Sequence, residues 1–209
     1  MIHVCDNFFP DPFEIREVAL QSEYNYNTDN NTSWPGFRCS TIPESITDPV
    51  LSAAQHYTQN PSLKLGVPSS FQYVTGDCKD GVFHTDGSAL YTCMVYLSLY
   101  SPKNSGTEIC DSDLEDWDNI IPADMTSIKR EFYQDPKNLL KANKFDRIKN
   151  EINSHFNPIA KIPNKFNRFI LFPGNSFHRA QNYFGTSIED ARLILISFLN
   201  RGLLVMKII

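Results

Sequence analysis

The stretch 81-GVFHTDGSALYTCMVYLSLY-100 decides how this chain is read. A polar island, His84-Thr85-Asp86-Gly87, heads an apolar run dominated by β-branched and aromatic residues. With the two-residue period of a strand, His84 and Asp86 project from one face and can grip a single metal ion between an imidazole nitrogen and a carboxylate oxygen. An H-x-D pair also arises by chance, as a polar turn with a solvated Asp86. The choice rests on whether the rest of the chain supplies the missing ligand.

The other histidines are His3, His56, His155 and His178. Only His178 lies in a late strand-like run, directly after FPGNSF, where a turn would aim its ring into the mouth of a barrel. His84, Asp86 and His178 then make a two-histidine, one-carboxylate set, which leaves three facial positions open on non-haem Fe(II) for a cosubstrate and oxygen. The ligands stand too far apart in sequence for a zinc finger and suit different strands of one barrel. Downstream, Arg192 heads the apolar run ARLILISFL. A guanidinium buried there is costly unless it meets an anion. Three answers are open: an ion pair with Glu189 or Asp190, exposure at the strand end, or a bidentate grip on a dicarboxylate cosubstrate, which the planar fork of arginine fits.

Working outward, 11-DPFEIREVALQSEYN-25 places Phe13, Ile15, Val18 and Ala19 at helical spacing, so an amphipathic helix is expected. A Pro- and Asn-rich loop leads to a second helix in TDPVLSAAQHYTQN, with Asp48-Pro49 as its start. The period then changes. SSFQYVTG, GVFHTDG and ALYTCMVYLSLY read as successive strands separated by Gly and Asp turns. Residues 111–157 return to charged, helix-compatible sequence and read as an insertion or lid carrying Trp117 and Tyr133. Finally KFNRFILFPGNSFHRAQNYFG and ARLILISFLNRGLLVMKII are two further β-type runs joined by GTSIED. Helices first and turn-rich strands later point to an α+β domain on an antiparallel sandwich or barrel.

The order of H-x-D, YTCMVYLSLYSPKNSGTEI, KFNRFILFPGNSFHRAQNY and ARLILISFL resembles the 2-oxoglutarate and Fe(II)-dependent dioxygenases, especially their prolyl-hydroxylase-like branch. The resemblance spans roughly residues 71–200, interrupted by the insertion. It implies a double-stranded β-helix core, jelly-roll and cupin-like, with N-terminal helices packed on one sheet and a helical insertion. A single domain over 1–209 follows: 1–65 as helical support, 66–110 and 158–209 as the core, 111–157 as insertion or lid. It also implies that His84, Asp86 and His178 hold the iron and that Arg192 takes the cosubstrate carboxylate. Tyr73 matches a tyrosine that approaches the cosubstrate, Tyr96 one that helps hold its far carboxylate, and Thr92 shares a strand face with Tyr96. Gly106 and Thr107 match the small-residue turn after that strand. Two departures stand out: the loop between His178 and Arg192 is longer than usual, and Ile194 stands where a small hydroxyl residue is frequent.

The implied reaction couples decarboxylation of 2-oxoglutarate by O2, giving succinate and CO2, to hydroxylation of an unactivated C–H bond in a peptide or small molecule. Retention of Asp86 favours hydroxylation over halogenation, because related halogenases lose this carboxylate. Two other classes compete. A non-catalytic jelly-roll or cupin-like binding module predicts a salt-bridged Arg192 with no pocket beside it. A zinc hydrolase on the same triad needs a general base, for which Glu108 is the candidate. Trp34, Arg38 and Arg179 are candidate substrate contacts, His155 is expected to be solvated, and Cys93 buried.

Composition narrows the field. At 209 residues, 41% hydrophobic and 21% charged, the chain suits one globular domain. A net charge of -5 argues against a broad grip on nucleic acid or anionic lipid. No run approaches the ~18 apolar residues of a membrane span, and the first residues lack the pattern of a signal peptide. Five cysteines, odd in number and without a C-x-x-C pair, suggest reduced thiols. A cytoplasmic protein is expected.

Overall fold

A computed structural model describes residues 1–26, 34–39, 41–66, 69–78, 80–110 and 120–201; Trp117 lies outside these. The described chain runs β1 (His3–Cys5), α1 (Pro12–Gln21), β2 (Asn25–Tyr26), β3 (Phe37–Cys39), α2 (Glu44–Thr58), β4 (Leu63–Leu65) and β5 (Ser70–Val74). A 3-10 turn at Gly76–Cys78 precedes β6 (Tyr91–Tyr96) and β7 (Gly106–Cys110). Then come α3 (Met125–Gln134), α4 (Leu139–Ser154), β8 (Pro158–Pro163), β9 (Phe169–Pro173), β10 (His178–Gln181) and β11 (Arg192–Arg201).

The expected helix over 11–25 is α1. Asp11 caps it, its side chain accepting from the Glu14 amide, and Pro12 occupies a first-turn position where no backbone donor is needed. The second helix starts earlier than Asp48-Pro49 predicts: α2 begins at Glu44 and carries Pro49 inside it. The reason is burial. Ile46, Val50 and Ala54 fall four apart and all pack beneath the helix, so the first turn is drawn into the core despite the amide that Pro49 lacks.

Two antiparallel sheets face one another. The larger runs β1-β9-β6-β11-β5-β3-β2, with β4 also on β11; the smaller runs β10-β7-β8. The N-terminal part therefore contributes strands as well as helices to the larger sheet. β11 lies at its centre and alternates cleanly. Leu193, Leu195 and Leu199 pack with Phe71, Phe169 and Ala54 in the core under α1 and α2. Ile194 and Ile196 pack with Met94, Tyr96, Ile170 and Phe172 against Ile109 and Ile162 of the smaller sheet. Burial on both faces explains why ARLILISFL reads as a continuous apolar run and not as an alternating one. Each fully buried Leu or Ile contributes on the order of 1.5–3 kcal/mol.

Two strand assignments need correction. GVFHTDG is not a strand: apart from an isolated bridge between His84 and His178 it is loop, with Gly87 at φ 49. KFNRFILFPGNSFHRAQNYFG is two strands, β9 and β10, in different sheets. The break falls at Gly174, where an added Cβ would stand 2.1 Å from the Ala89 carbonyl oxygen. Only a glycine permits that approach. The insertion folds as α3 and α4, whose Ile128, Phe132, Phe145 and Ile152 form a third cluster with Phe83, Phe156 and Phe177. Among the described residues no helix is long and apolar enough to cross a membrane.

Candidate metal centre and its cavity

The loop carrying His84 and Asp86 is clamped from three sides. The backbones of His84 and His178 exchange hydrogen bonds of 3.0 and 2.9 Å, and the Asp86 amide donates to the Gly174 carbonyl at 2.8 Å. Asn153 of α4 accepts from the Phe83 amide and donates to the Gly81 carbonyl. Irregular backbone is thus held in place by β10, by the β9–β10 turn and by the insertion.

The side chains converge. His84, Asp86 and His178 each offer a ligand atom within 4.8 Å of the others. His84 Nε2 stands 3.8 Å from Asp86 Oδ1, and His178 Nε2 stands 3.4 Å from Asp86 Oδ2. On each ring the other nitrogen faces a carbonyl: His84 Nδ1 meets Val82 O at 2.8 Å, and His178 Nδ1 meets Ser176 O at 3.0 Å. A carbonyl only accepts, so each Nδ1 carries the proton and each Nε2 presents its lone pair to the centre. Desolvation, with His178 and Lys129 adding to it, lowers the His84 pKa to about 3, so the ring is neutral and able to ligate at neutral pH. Asp86 accepts a hydrogen bond from the Thr92 hydroxyl. Two imidazoles and a carboxylate are a donor set that suits a divalent iron ion.

A cavity of about 540 Å³ opens beside these three residues. Its lining includes Arg192, Thr107, Gln72, Met94, Ile194 and Tyr183. Arg192 is buried, with its guanidinium 5.6 Å from the Tyr96 ring and 5.8 Å from the Tyr183 ring. Its Nε has no hydrogen-bond partner, and among the described residues no carboxylate pairs with it. The neighbouring acids are committed elsewhere. Asp190 accepts from the Thr186 and Ser187 amides, and the Glu189 carboxylate takes a hydrogen bond from Ser187. The long loop between β10 and β11 is therefore folded on itself, with Gly185 at φ 77 packed against Asp190.

The sequence-predicted residues divide into three groups. His84, Asp86, His178 and Arg192 share the cavity wall. Tyr96 stands just behind it, its hydroxyl 2.7 Å from that of Thr107, while the Thr92 hydroxyl is used on Asp86 and not turned to the cavity. Tyr73 is a correction. It lies opposite Leu193, stacked 4.7 Å from Phe37 and edge-on to Tyr24, on the face packed against the helices. Strand alternation turns Gln72 and Ser70 to the cavity instead. Glu108 also faces away: it is buried in ion pairs with Arg179 at 2.6 Å and Lys161 at 3.0 Å. Burial pushes its pKa up, but hydrogen bonds from Lys161 and Arg179 outweigh that and leave it lowered. Neither Glu108 nor Arg179 reaches the cavity, which removes the candidate general base. Trp34 and Arg38 do line it, His155 is exposed, and Cys93 is buried. The residues that the sequence reading missed include Gln72, Tyr183 and Lys129 of the insertion, while Tyr133, already named with the insertion, lines the cavity as well. Gln72 was readable from alternation along β5; Lys129 carried no signal.

A family model described as a family of unknown function, DUF6445, matches residues 1–193. The chain belongs to this family. No curated protein matches this DUF6445 sequence. Among solved structures, a Trichoplax adhaerens prolyl hydroxylase in complex with a hypoxia-inducible-factor peptide fragment is similar, with a TM-score of 0.55 at 10% identity, covering 96% of this chain and 83% of that one. HygX from Streptomyces hygroscopicus, with nickel, 2-oxoglutarate and hygromycin B bound, gives 0.58 at 13% identity over 97% and 83%. SnoK, a non-haem α-ketoglutarate-dependent carbocyclase from nogalamycin biosynthesis, gives 0.58 at 11% over 96% and 81%. The DUF6445 chain thus shares its fold with prolyl hydroxylases and other 2-oxoglutarate-dependent oxygenases, as the motif order implied.

Proposed function

We propose that this chain is a cytoplasmic Fe(II)- and 2-oxoglutarate-dependent oxygenase that hydroxylates a C–H bond of a small molecule or peptide. It would act as one domain on a double-stranded β-helix core, with the α3–α4 insertion as a lid. The observation that carries this reading is Arg192: a buried guanidinium without a carboxylate partner among the described residues, in the same cavity as two histidines and an aspartate. A structural ion pair would leave no reason for an open cavity beside it, and a protein burying an unpaired cation normally answers it with an anion.

In this reading His84, Asp86 and His178 hold the iron. When bound, Fe(II) with 2-oxoglutarate and O2 supplies the oxidising power, yielding succinate, CO2 and one oxygen atom for the substrate. The chain's own residues do the rest. Val82 and Ser176 carbonyls keep the protons on the Nδ1 atoms and so keep both Nε2 lone pairs on the metal side. Thr92 orients Asp86. Arg192 grips the far carboxylate of the cosubstrate, and the Tyr96–Thr107 hydroxyl pair offers a further polar contact at Thr107. Met94, Ile194 and Ile196 keep water from the reacting groups. Five cysteines with free thiols, four of them buried, accord with a reducing compartment.

The test is an anaerobic titration of Fe(II) and 2-oxoglutarate, followed by the visible charge-transfer band of the chelate. The band is expected in wild type, absent in His178→Ala, and in Arg192→Ala only at much higher 2-oxoglutarate. No band in the metal-loaded wild-type protein would sink the reading.

A further inference from the structure

Arg192 is not the only cation of the cavity. Arg38 of β3 and Lys129 of α3 line it as well, from the larger sheet and from the insertion. None of the ion pairs among the described residues involves either of them. Arg38 lies with its guanidinium 4.3 Å from the centre of the Trp34 ring, and its buried Nε has no hydrogen-bond partner. Both cations stand within electrostatic reach of the metal ligands, Arg38 of Asp86 and Lys129 of His84. Desolvation lowers Arg38 to about 10 and Lys129 to about 8, yet both remain mainly protonated at neutral pH. Asp86 is the one carboxylate of the described wall and belongs to the metal set, so Arg38 and Lys129 have no acid of their own there.

Charge balance then selects the substrate, given the oxygenase reading above on which this step rests. A divalent iron, the Asp86 carboxylate, the Arg192 guanidinium and a dianionic cosubstrate cancel one another. Arg38 and Lys129 are left over. We infer that the primary substrate carries an oxyanion, a carboxylate or a phosphate, seated between Arg38 and Lys129. The two residues come from separate parts of the chain, so they mark a site that closes only when the insertion packs on the sheet. A neutral or cationic substrate would cover both half-buried cations without matching them, at a desolvation cost that an anion removes.

The experiment measures binding, not turnover. Benzoate and phenyl phosphate, with benzamide as the neutral counterpart, are titrated calorimetrically into anaerobic protein saturated with Fe(II) and 2-oxoglutarate, while the chelate band is recorded on the same samples. At least one of the two anions is expected to bind about tenfold or more tighter than benzamide, and which one does so tells carboxylate from phosphate. Arg38→Gln and Lys129→Gln should each remove most of that preference, and Arg38→Lys should restore part of it. Benzamide binding as tightly as both anions to wild type would overturn the inference, even should a variant fail to fold. So would an anion preference unchanged in both glutamine variants. An anion preference without the chelate band would leave this site standing and remove the oxygenase reading; the band without the preference would do the reverse.

Discussion

The Thr92 hydroxyl donates a hydrogen bond to Asp86 Oδ2, the same oxygen that faces His178 Nε2. Thr92 is fully buried on β6, so this contact fixes the carboxylate from inside the larger sheet. Outer contacts of this type are worth about 10–100-fold in metal affinity. Thr92→Val, nearly the same shape without the donor, is expected to weaken Fe(II) binding by about tenfold, and Thr92→Ser to restore most of it. Equal affinities for wild type and the valine variant in a metal titration would remove Thr92 from the site.

Arg192 is expected to trade stability for binding. Replacing a buried, unpaired guanidinium by an apolar side chain of similar length is stabilising by about 1–4 kcal/mol. Arg192→Met should therefore raise the melting temperature of the metal-free protein by several degrees, at roughly 2–4 °C per kcal/mol for a chain of this size. Its affinity for 2-oxoglutarate should fall by about 100-fold. A lower melting temperature would mean that the guanidinium has a stabilising partner and is not waiting for one.

Gln72 and Tyr73 are neighbours on β5 with opposite roles. Tyr73→Phe leaves the stacking on Phe37 intact and is expected to change 2-oxoglutarate affinity by less than about twofold. Gln72 lines the cavity and donates to the Pro35 carbonyl at 2.8 Å, which anchors the segment next to Trp34. Gln72→Ala should disturb ligand binding while costing about 1 kcal/mol of stability for the lost hydrogen bond. Cosubstrate titrations of the two variants in parallel check the assignment of faces; a larger loss in Tyr73→Phe would reverse it.

Asp6 reports on pH. It joins the end of β1 to Arg168 through two contacts, 2.6 Å to Nε and 3.1 Å to Nη2, and meets Lys165 at 2.7 Å. The hydrogen bonds from Arg168 and then Lys165 hold its pKa well below the usual carboxylate range. A carboxylate with a depressed native pKa contributes stability above its unfolded pKa, here 3.8, and loses it as pH falls from there through the native value. Asp6→Asn is expected to cost about 1 kcal/mol at pH 7. That difference should shrink steadily below about pH 4 in urea unfolding curves. A difference independent of pH would assign the effect to shape and not to charge.

The insertion helices extend the argument to specificity. Lys129 and Tyr133 reach the cavity from α3, whose apolar side packs with α4 around Phe132 and Phe145, rings 4.3 Å apart. Sequence marked this region as an insertion or lid carrying Tyr133 but did not single out Lys129, because a cavity-facing lysine looks the same in sequence as a solvated one.

What the sequence determined by itself was local: the helix at α1, the runs that became β5, β6, β9 and β11, the H-x-D island, and the lone arginine heading an apolar strand. Each depends on neighbours within a few residues, through side-chain period, turn chemistry and charge, and each survives in the fold. The tertiary structure decided what depends on distant partners. It began α2 at Glu44 because Ile46 found a core to enter, and it made 81–87 a clamped loop because His178, Gly174 and Asn153 hold it. It turned Tyr73 to the helices and Gln72 to the cavity, since the register of β5 on β11 sets which face is inside. It also brought Arg38, Lys129 and Arg192 to one cavity whose described wall carries a single carboxylate, Asp86. Charge count along a chain does not reveal charge balance in a cavity, because burial and pairing are properties of the packed whole.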